Sequence, residues 1–170
     1  MAKQKSNAYQ NGGFWEELGR VTLASAGSSM DLTFTAKKYL KIIYVYYASG
    51  GSVTSTMRFN NDSGGNYSLR FSDNGGTENT LASQANLYPD TGGGIYPVSG
   101  EVSILNTAAN EKLVRMLIEG GGTGGAANIP TRRTMIGKWV NTTNAINRVT
   151  FATALNNFAI GSEVVVLGHD

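Results

Sequence analysis

No cysteine occurs anywhere in this chain, which removes disulfides, thiolate metal sites and cysteine nucleophiles at once. The single histidine, His169, stands one residue from the end with no Ser or Cys nucleophile motif and no second histidine, so a catalytic triad lacks a credible base. A zinc site lacks ligands too, unless a threefold axis supplied three copies of His169; a solvated tail residue is the simpler reading. Charge is scarce: Asp, Glu, Lys and Arg make up 15% of the residues, against roughly 25% in ordinary soluble domains. A surface so poor in charge favours packing against other protein, although Asn, Ser, Thr and Gly also keep such surfaces soluble. The net charge of +2 is small, and the basic residues are scattered apart from pairs such as Lys37-Lys38 and Arg132-Arg133, so no basic stripe points to nucleic acid. No apolar run reaches the roughly 18 residues of a membrane span. The opening segment MAKQKSNAYQNGG has lysines but no apolar h-region. The expectation is a protein without a secretory signal, made and kept in a cytoplasm or leaving it by lysis.

What is present is a repeating arrangement. Short segments rich in Val, Ile, Leu, Tyr and Phe are cut apart by Gly, Ser, Asn and Asp clusters, with 22 glycines in 170 residues. A mass of 18.0 kDa suits one domain with one core. The pattern predicts an all-β, single-domain, jelly-roll-like β-sandwich of about nine to eleven strands over residues 13–170, preceded by a flexible polar arm over residues 1–12.

Alternation marks the strands one by one. Trp15, Val21 and Leu23 share a parity interrupted by Glu17 and Gly19, consistent with a bent or bulged first strand. Met30, Leu32 and Phe34 alternate with polar residues. In the next segment Leu40, Ile42, Tyr44 and Tyr46 line one face while Ile43, Val45 and Tyr47 make the other apolar too, which predicts burial on both sides, by a neighbouring subunit or by a loop of the same chain. Val53, Ser55, Met57 and Phe59 form an amphipathic strand, and the turn 60–65 leading to Tyr67, Leu69 and Phe71 reads as a hairpin with a generous loop. Residues 77–97 read either as a short strand through Leu81, Ala85 and Leu87 or as a surface excursion, with Thr91-Gly92-Gly93-Gly94 irregular. Val98, Val102 and Ile104 read as one strand broken by Gly100. The block Lys112 to Glu119 also fits a helix, but its shortness and its place between strands favour a strand with Leu113 and Leu117 on one face and Val114, Met116 and Ile118 on the other. The last strands are expected at 135–140, at 146–153 with Val149 and Phe151 inward, and at 161–167.

Candidates for chemistry are few. The glycines of 120–125 are followed by no Lys-Ser/Thr and do not sit between a strand and a helix, so they read as a loop with positive φ angles and carry no phosphate signature. Asp62, Asp73 and Asp90 have Asn and Gly neighbours that could offer oxygens to calcium, but the spacing is not that of an EF-hand loop, and turn chemistry explains them. Glu101, Glu111, Glu119 and Glu163 alternate with apolar residues as outward strand positions do, so no acid pair for glycoside hydrolysis stands out. No catalytic residue, metal ligand or cofactor is expected.

Two groups of motifs carry a family resemblance. The first is Trp15-Glu16-Glu17-Leu18-Gly19, Ala36-Lys37-Lys38-Tyr39-Leu40, and Phe59-Asn60-Asn61-Asp62-Ser63 with Asn66-Tyr67. The second is Gly137-Lys138-Trp139-Val140-Asn141-Thr142, Ile146-Asn147-Arg148-Val149, and the closing Phe158 to Gly168. Together they resemble small structural proteins of tailed bacteriophages, of the jelly-roll decoration and tail-appendage type. The resemblance spans nearly all of residues 14–168 and brings no catalytic residues with it.

It implies a non-enzymatic virion protein, expected to be a capsid decoration or cement protein that assembles as a homotrimer and laces its arm onto a neighbour. The alternative is a tail-fibre or baseplate receptor-binding module contacting a host-surface glycan; a small glycan-acting enzyme is a distant third. Candidate interface residues are Trp15, Tyr44, Tyr46, Tyr47 and Trp139, the aromatic anchors such interfaces favour, though most of them are expected in the monomer core. Candidate ligand loops carry Asn61, Asp62, Tyr67, Asp73, Tyr88 and Tyr96. The expected partners are further copies of the chain, phage capsid or tail proteins, and in the alternative a host glycan, with neither nucleic acid nor membrane.

Overall fold

A computed structural model describes residues 14–91 and 96–170. The expected arm at 1–12 and most of the glycine stretch 91–94 lie outside the described residues. The rest is an all-β sandwich of eleven strands with no helix. The strands are β1 (Glu16–Thr22), β2 (Ser29–Thr33), β3 (Tyr39–Tyr46), β4 (Ser55–Phe59), β5 (Tyr67–Asp73), β6 (Asn79–Gln84), β7 (Val98–Leu105), β8 (Lys112–Gly120), β9 (Thr131–Trp139), β10 (Arg148–Thr153) and β11 (Glu163–His169).

All pairings are antiparallel, in an eight-stranded sheet ordered β1-β11-β3-β7-β8-β9-β5-β6 and a three-stranded sheet ordered β2-β10-β4. The chain alternates between them: β1, β3, β7 and β11 lie in the large sheet, β2, β4 and β10 in the small one, and Leu87 bridges to Met57 at the free side of β4. That wrapping is jelly-roll-like. Two further strand pairs, β5–β6 and β8–β9, join each other through β5 and β9 and extend the large sheet beyond β7. The large sheet therefore has a wrapped half, β1-β11-β3-β7, and an added half, β8-β9-β5-β6.

Alternation is kept wherever one face must be dry. Along β8 the buried positions are Lys112, Val114, Met116, Ile118 and Gly120, and the exposed ones are Leu113, Arg115, Leu117 and Glu119. Leu40, Ile42, Tyr44 and Tyr46 of β3 meet Met30, Met57, Phe59, Val149 and Phe151 of the small sheet in one core cluster, each side chain of this kind contributing on the order of 1.5–3 kcal/mol when fully buried. Aromatic rings fill its centre, with Tyr44 against Phe151 at 4.8 Å and Tyr46 against Phe158 at 5.3 Å. The bulge expected in the first strand lies between Glu17 and Gly19 in the pairing with β11.

Three local expectations are corrected. First, β4 and β5 do not form a hairpin, because β4 pairs with β10 while β5 pairs with β6 and β9. Positive φ angles at Asn60 and Asn61 (51° and 59°) turn the chain away from β4, and the Tyr67 hydroxyl accepts from the Phe59 amide at 2.9 Å, stapling the crossing between sheets. Second, Gly100 does not break its strand, since β7 is paired with β3 and β8 throughout. A Cβ there would lie 2.3 Å from the Tyr44 hydroxyl, so the missing side chain makes room for the ring. Third, the outer side of β3 is not covered within the described chain: Ile43 is 44% exposed and Tyr47 38%. Residues 79–84 resolve the open choice at 77–97 as strand β6, edged by a bulge opposite Ser68 where Ser83 has φ 53°.

Candidate functional site: the outer face of the large sheet

The structure separates the predicted interface residues. Tyr44, Tyr46 and Trp139 are at most 2% exposed, so the three belong to the core and offer nothing to a partner, because their parity on β3 and β9 points them between the sheets. Trp15 (42% exposed) and Tyr47 lie outside it. Trp15 meets His169 edge-on at 4.7 Å, and the His169 ring stacks on Tyr39 at 4.7 Å. The histidine thus ends a strand inside an aromatic group, where the sequence suggested a solvated tail.

Several side chains of the predicted ligand loops are engaged within the chain. Tyr67 is buried, and the Asp62 carboxylate accepts from Trp139 Nε1 at 2.7 Å, from Asn66 Nδ2 at 3.0 Å and from the Gly64 amide at 3.0 Å. Burial pushes this carboxyl up, but those hydrogen bonds prevail and hold it below its ordinary 3.8. Asp73 accepts two bonds from Arg133, at 2.7 and 2.9 Å. With N–H donors on their oxygens, neither carboxylate is arranged as a cation ligand. Asp90 is buried with Ser55, Tyr44 and Tyr46 at one end of the core, where the Ser55 amide reaches Asp90 at 3.3 Å and the Ser55 and Tyr44 hydroxyls both donate to the Pro89 carbonyl, at 2.9 and 3.2 Å. Burial, and then the charge of Asp90, raise the Tyr46 phenol far above its ordinary value, so it stays neutral. Asn61 is exposed, and Tyr88 and Tyr96 are half-buried, Tyr88 donating to Gln84 at 3.2 Å. Among the described residues no three His, Asp or Glu side chains converge as a metal group would require.

One polar residue escaped the sequence reading. Lys112 is fully buried, facing inward in the row of Val114, Met116 and Ile118. Its ammonium donates to the carbonyls of Asn141 (2.5 Å) and Ala108 (3.1 Å) and lies 5.4 Å from the centre of the Trp139 ring. Loss of water lowers its pKa. Asp62 at the edge of the indole and Lys112 over its face clamp three loops at one end of the sandwich. The parity of position 112 was the available signal, but a lysine at a strand start ordinarily turns to water.

What remains open is the outer face of the large sheet. On its wrapped half ion pairs cover part of this face, while Ile43 stays 44% exposed. Val165 is 7% exposed between Arg20 and Ile43 in register, and Arg20 pairs with Glu163 at 2.6 Å and with Glu17 at 2.8 Å. Lys41 pairs with Glu101 at 2.9 Å. On the added half the face is apolar and open: Leu113 is 63% exposed, Ile136 55% and Leu117 46%. Two shallow depressions lie here. One of about 360 Å³ is lined by Glu101, Ser103, Arg115, Leu117 and Thr134. The other, of about 420 Å³, lies over Ser68 and the backbone of Gly137, between Leu81, Leu113, Ile136 and Lys138. A contiguous exposed aliphatic patch on a folded domain marks a contact surface more often than a reactive one. Fold and face together define an all-β sandwich with an open aliphatic patch on its larger sheet. Compared with protein-family models, curated proteins and solved structures, the chain finds no match in any of the three.

Proposed function

We propose that this chain is a structural protein of a tailed-phage virion, without enzymatic activity, that decorates the capsid as a homotrimer. The observation that carries the reading is the open aliphatic face of β8 and β9, standing on a core whose polar groups are used up in internal hydrogen bonds. Broad docking faces of this kind combine aliphatic and Arg side chains with little net charge. The motif resemblance points the same way, and stability outside a cell here needs no disulfide, since the chain has no cysteine.

The experiment is reconstitution. Purified protein added to capsids depleted of it is expected to bind to saturation and to raise the temperature at which the shells come apart. No binding at micromolar concentration refutes decoration. Adhesion to host cells with a block of infection, in place of capsid binding, would move the protein to the tail and to a receptor-binding role.

A further inference from the structure

Charged side chains on this molecule are almost all engaged. Arg20, Arg70, Arg133 and Arg148 sit in ion pairs, and Arg58 donates to Asn86 at 2.5 Å. Among the described Arg, Asp and Glu residues, the side chains of Arg115, Glu119 and Arg132 alone make neither an ion pair nor a hydrogen bond. All three are exposed, and all three point outward from β8 and β9, on the face that carries Leu113, Leu117 and Ile136. The fold has left these three unpaired in one place, beside the exposed side chains of Leu113, Leu117 and Ile136.

The register shows what would satisfy Glu119 and Arg132. Glu119 lies opposite Arg132, Leu117 opposite Thr134, Arg115 opposite Ile136, and Leu113 opposite Lys138. Rotation about an axis running along these strands keeps every residue at its own height, so each row meets the same row of the next copy, with β8 of one beside β9 of the other. Glu119 then meets Arg132 of the neighbour, Leu117 packs on Thr134, and Ile136 lies along the aliphatic stem of Arg115. An axis across the strands centred on Leu117 would instead pair Arg115 with Glu119 and set Arg132 on Ile136, so in that arrangement charge exchange at Arg132 would not weaken self-association. The two depressions beside these rows, of about 360 and 420 Å³, give the neighbour's aliphatic side chains a recess.

We propose that copies of this chain associate through the outer face of β8 and β9, about an axis parallel to those strands, with Glu119 of each copy on Arg132 of the next. This rests on the homo-oligomeric reading above and names its contact surface. The occupant is a second copy because the free charges of both signs that the contact needs are present on the same face, one row wide.

Charge exchange tests it. Light scattering of the full chain is expected to give a multiple of 18.0 kDa, and Glu119→Arg and Arg132→Glu, each made alone, are expected to weaken self-association at least about tenfold. An equimolar mixture of the two single variants is expected to associate again, which neither damage to the fold nor a pair within one chain would produce. Leu117→Asp also dissociates the assembly, while thermal unfolding verifies that each variant is folded. Unchanged mass in both single variants overturns the proposal, as does a native mass of 18.0 kDa at high concentration. The outcomes separate the two claims: a monomer that still binds capsids sinks this contact and leaves decoration standing. A charge-exchangeable oligomer that ignores capsids does the reverse.

Discussion

The two halves of the large sheet share a core and differ on their outer faces. In the wrapped half, β1-β11-β3-β7, the outward charges find one another: Arg20 bridges Glu17 and Glu163, Lys41 meets Glu101, and Lys37 ties Glu16 to Asp170 at 2.9 and 3.0 Å. Val165 is covered beneath them. In the added half, β8-β9-β5-β6, the inner face is as well packed, with Met116, Ile118, Met135 and Trp139 at most 1% exposed, yet the outer face keeps Leu113, Leu117 and Ile136 in the open among three unpaired charges. Packing demands explain the shared feature, because every strand must bury one face. They do not explain the difference, since aliphatic side chains on an open face contribute little to folding. The wrapped half pairs its outward charges within its own chain, and the added half leaves three of them unpaired.

The comparison can be broken most sharply at the core they share. Trp139→Ala on the added half is expected to cost about 3–5 kcal/mol in chemical denaturation, as truncating a buried Trp does, because the indole also holds Asp62 and Lys112 in place. A cost under about 1 kcal/mol would show that this half is not integral to the core. On the wrapped half, Gly100→Ala forces a Cβ against the Tyr44 ring and is expected to cost about 3 kcal/mol, the upper end of overpacking, read as a lower urea midpoint at unchanged slope.

Charge removal sharpens the contrast between used and unused groups. Asp62 has its folded pKa held below 3.8, so its contribution is present above that value and is lost as pH falls through the lower folded value. Asp62→Asn should therefore cost about 1.5–3 kcal/mol near neutrality and flatten the acid limb of a stability–pH curve. Lys112 has the opposite linkage. Its folded pKa lies below 10.5, so between the two values the unfolded chain binds more protons and stability rises with pH; Lys112→Met should remove that rise while other alkaline losses persist. Leu117→Ser, on the open face, should leave monomer stability within about 0.5 kcal/mol of wild type in thermal melts. A larger loss there would mean that the outer face matters to the fold itself.

Much of this was legible from residue patterns. The alternation at β2, β4, β8 and β10 was read with the right parity, and the interrupted parity around Glu17 and Gly19 pointed to the bulge. The errors have a common cause. A turn of the right length between two strands suggests a hairpin, but whether β4 and β5 pair depends on which sheet each joins, and that is decided by partners about 60 to 100 residues away in β9 and β10. Gly100 looked like a break because its partner, the ring of Tyr44, lies on another strand. Aromatic residues of β3 and β9 were candidates for an interface because composition names side chains suited to contacts without saying which contacts they make.

By itself, the sequence determined the all-β class, the absence of disulfides and the face each strand turns inward, because these follow from residue types and a period of two. Only the tertiary structure decided that Lys112 is buried on Trp139, that His169 lies against Trp15 and Tyr39, and that Arg115, Glu119 and Arg132 stand unpaired on one open face. The reason is physical. Parity is local, whereas a charge is spent or free according to what distant strands bring beside it.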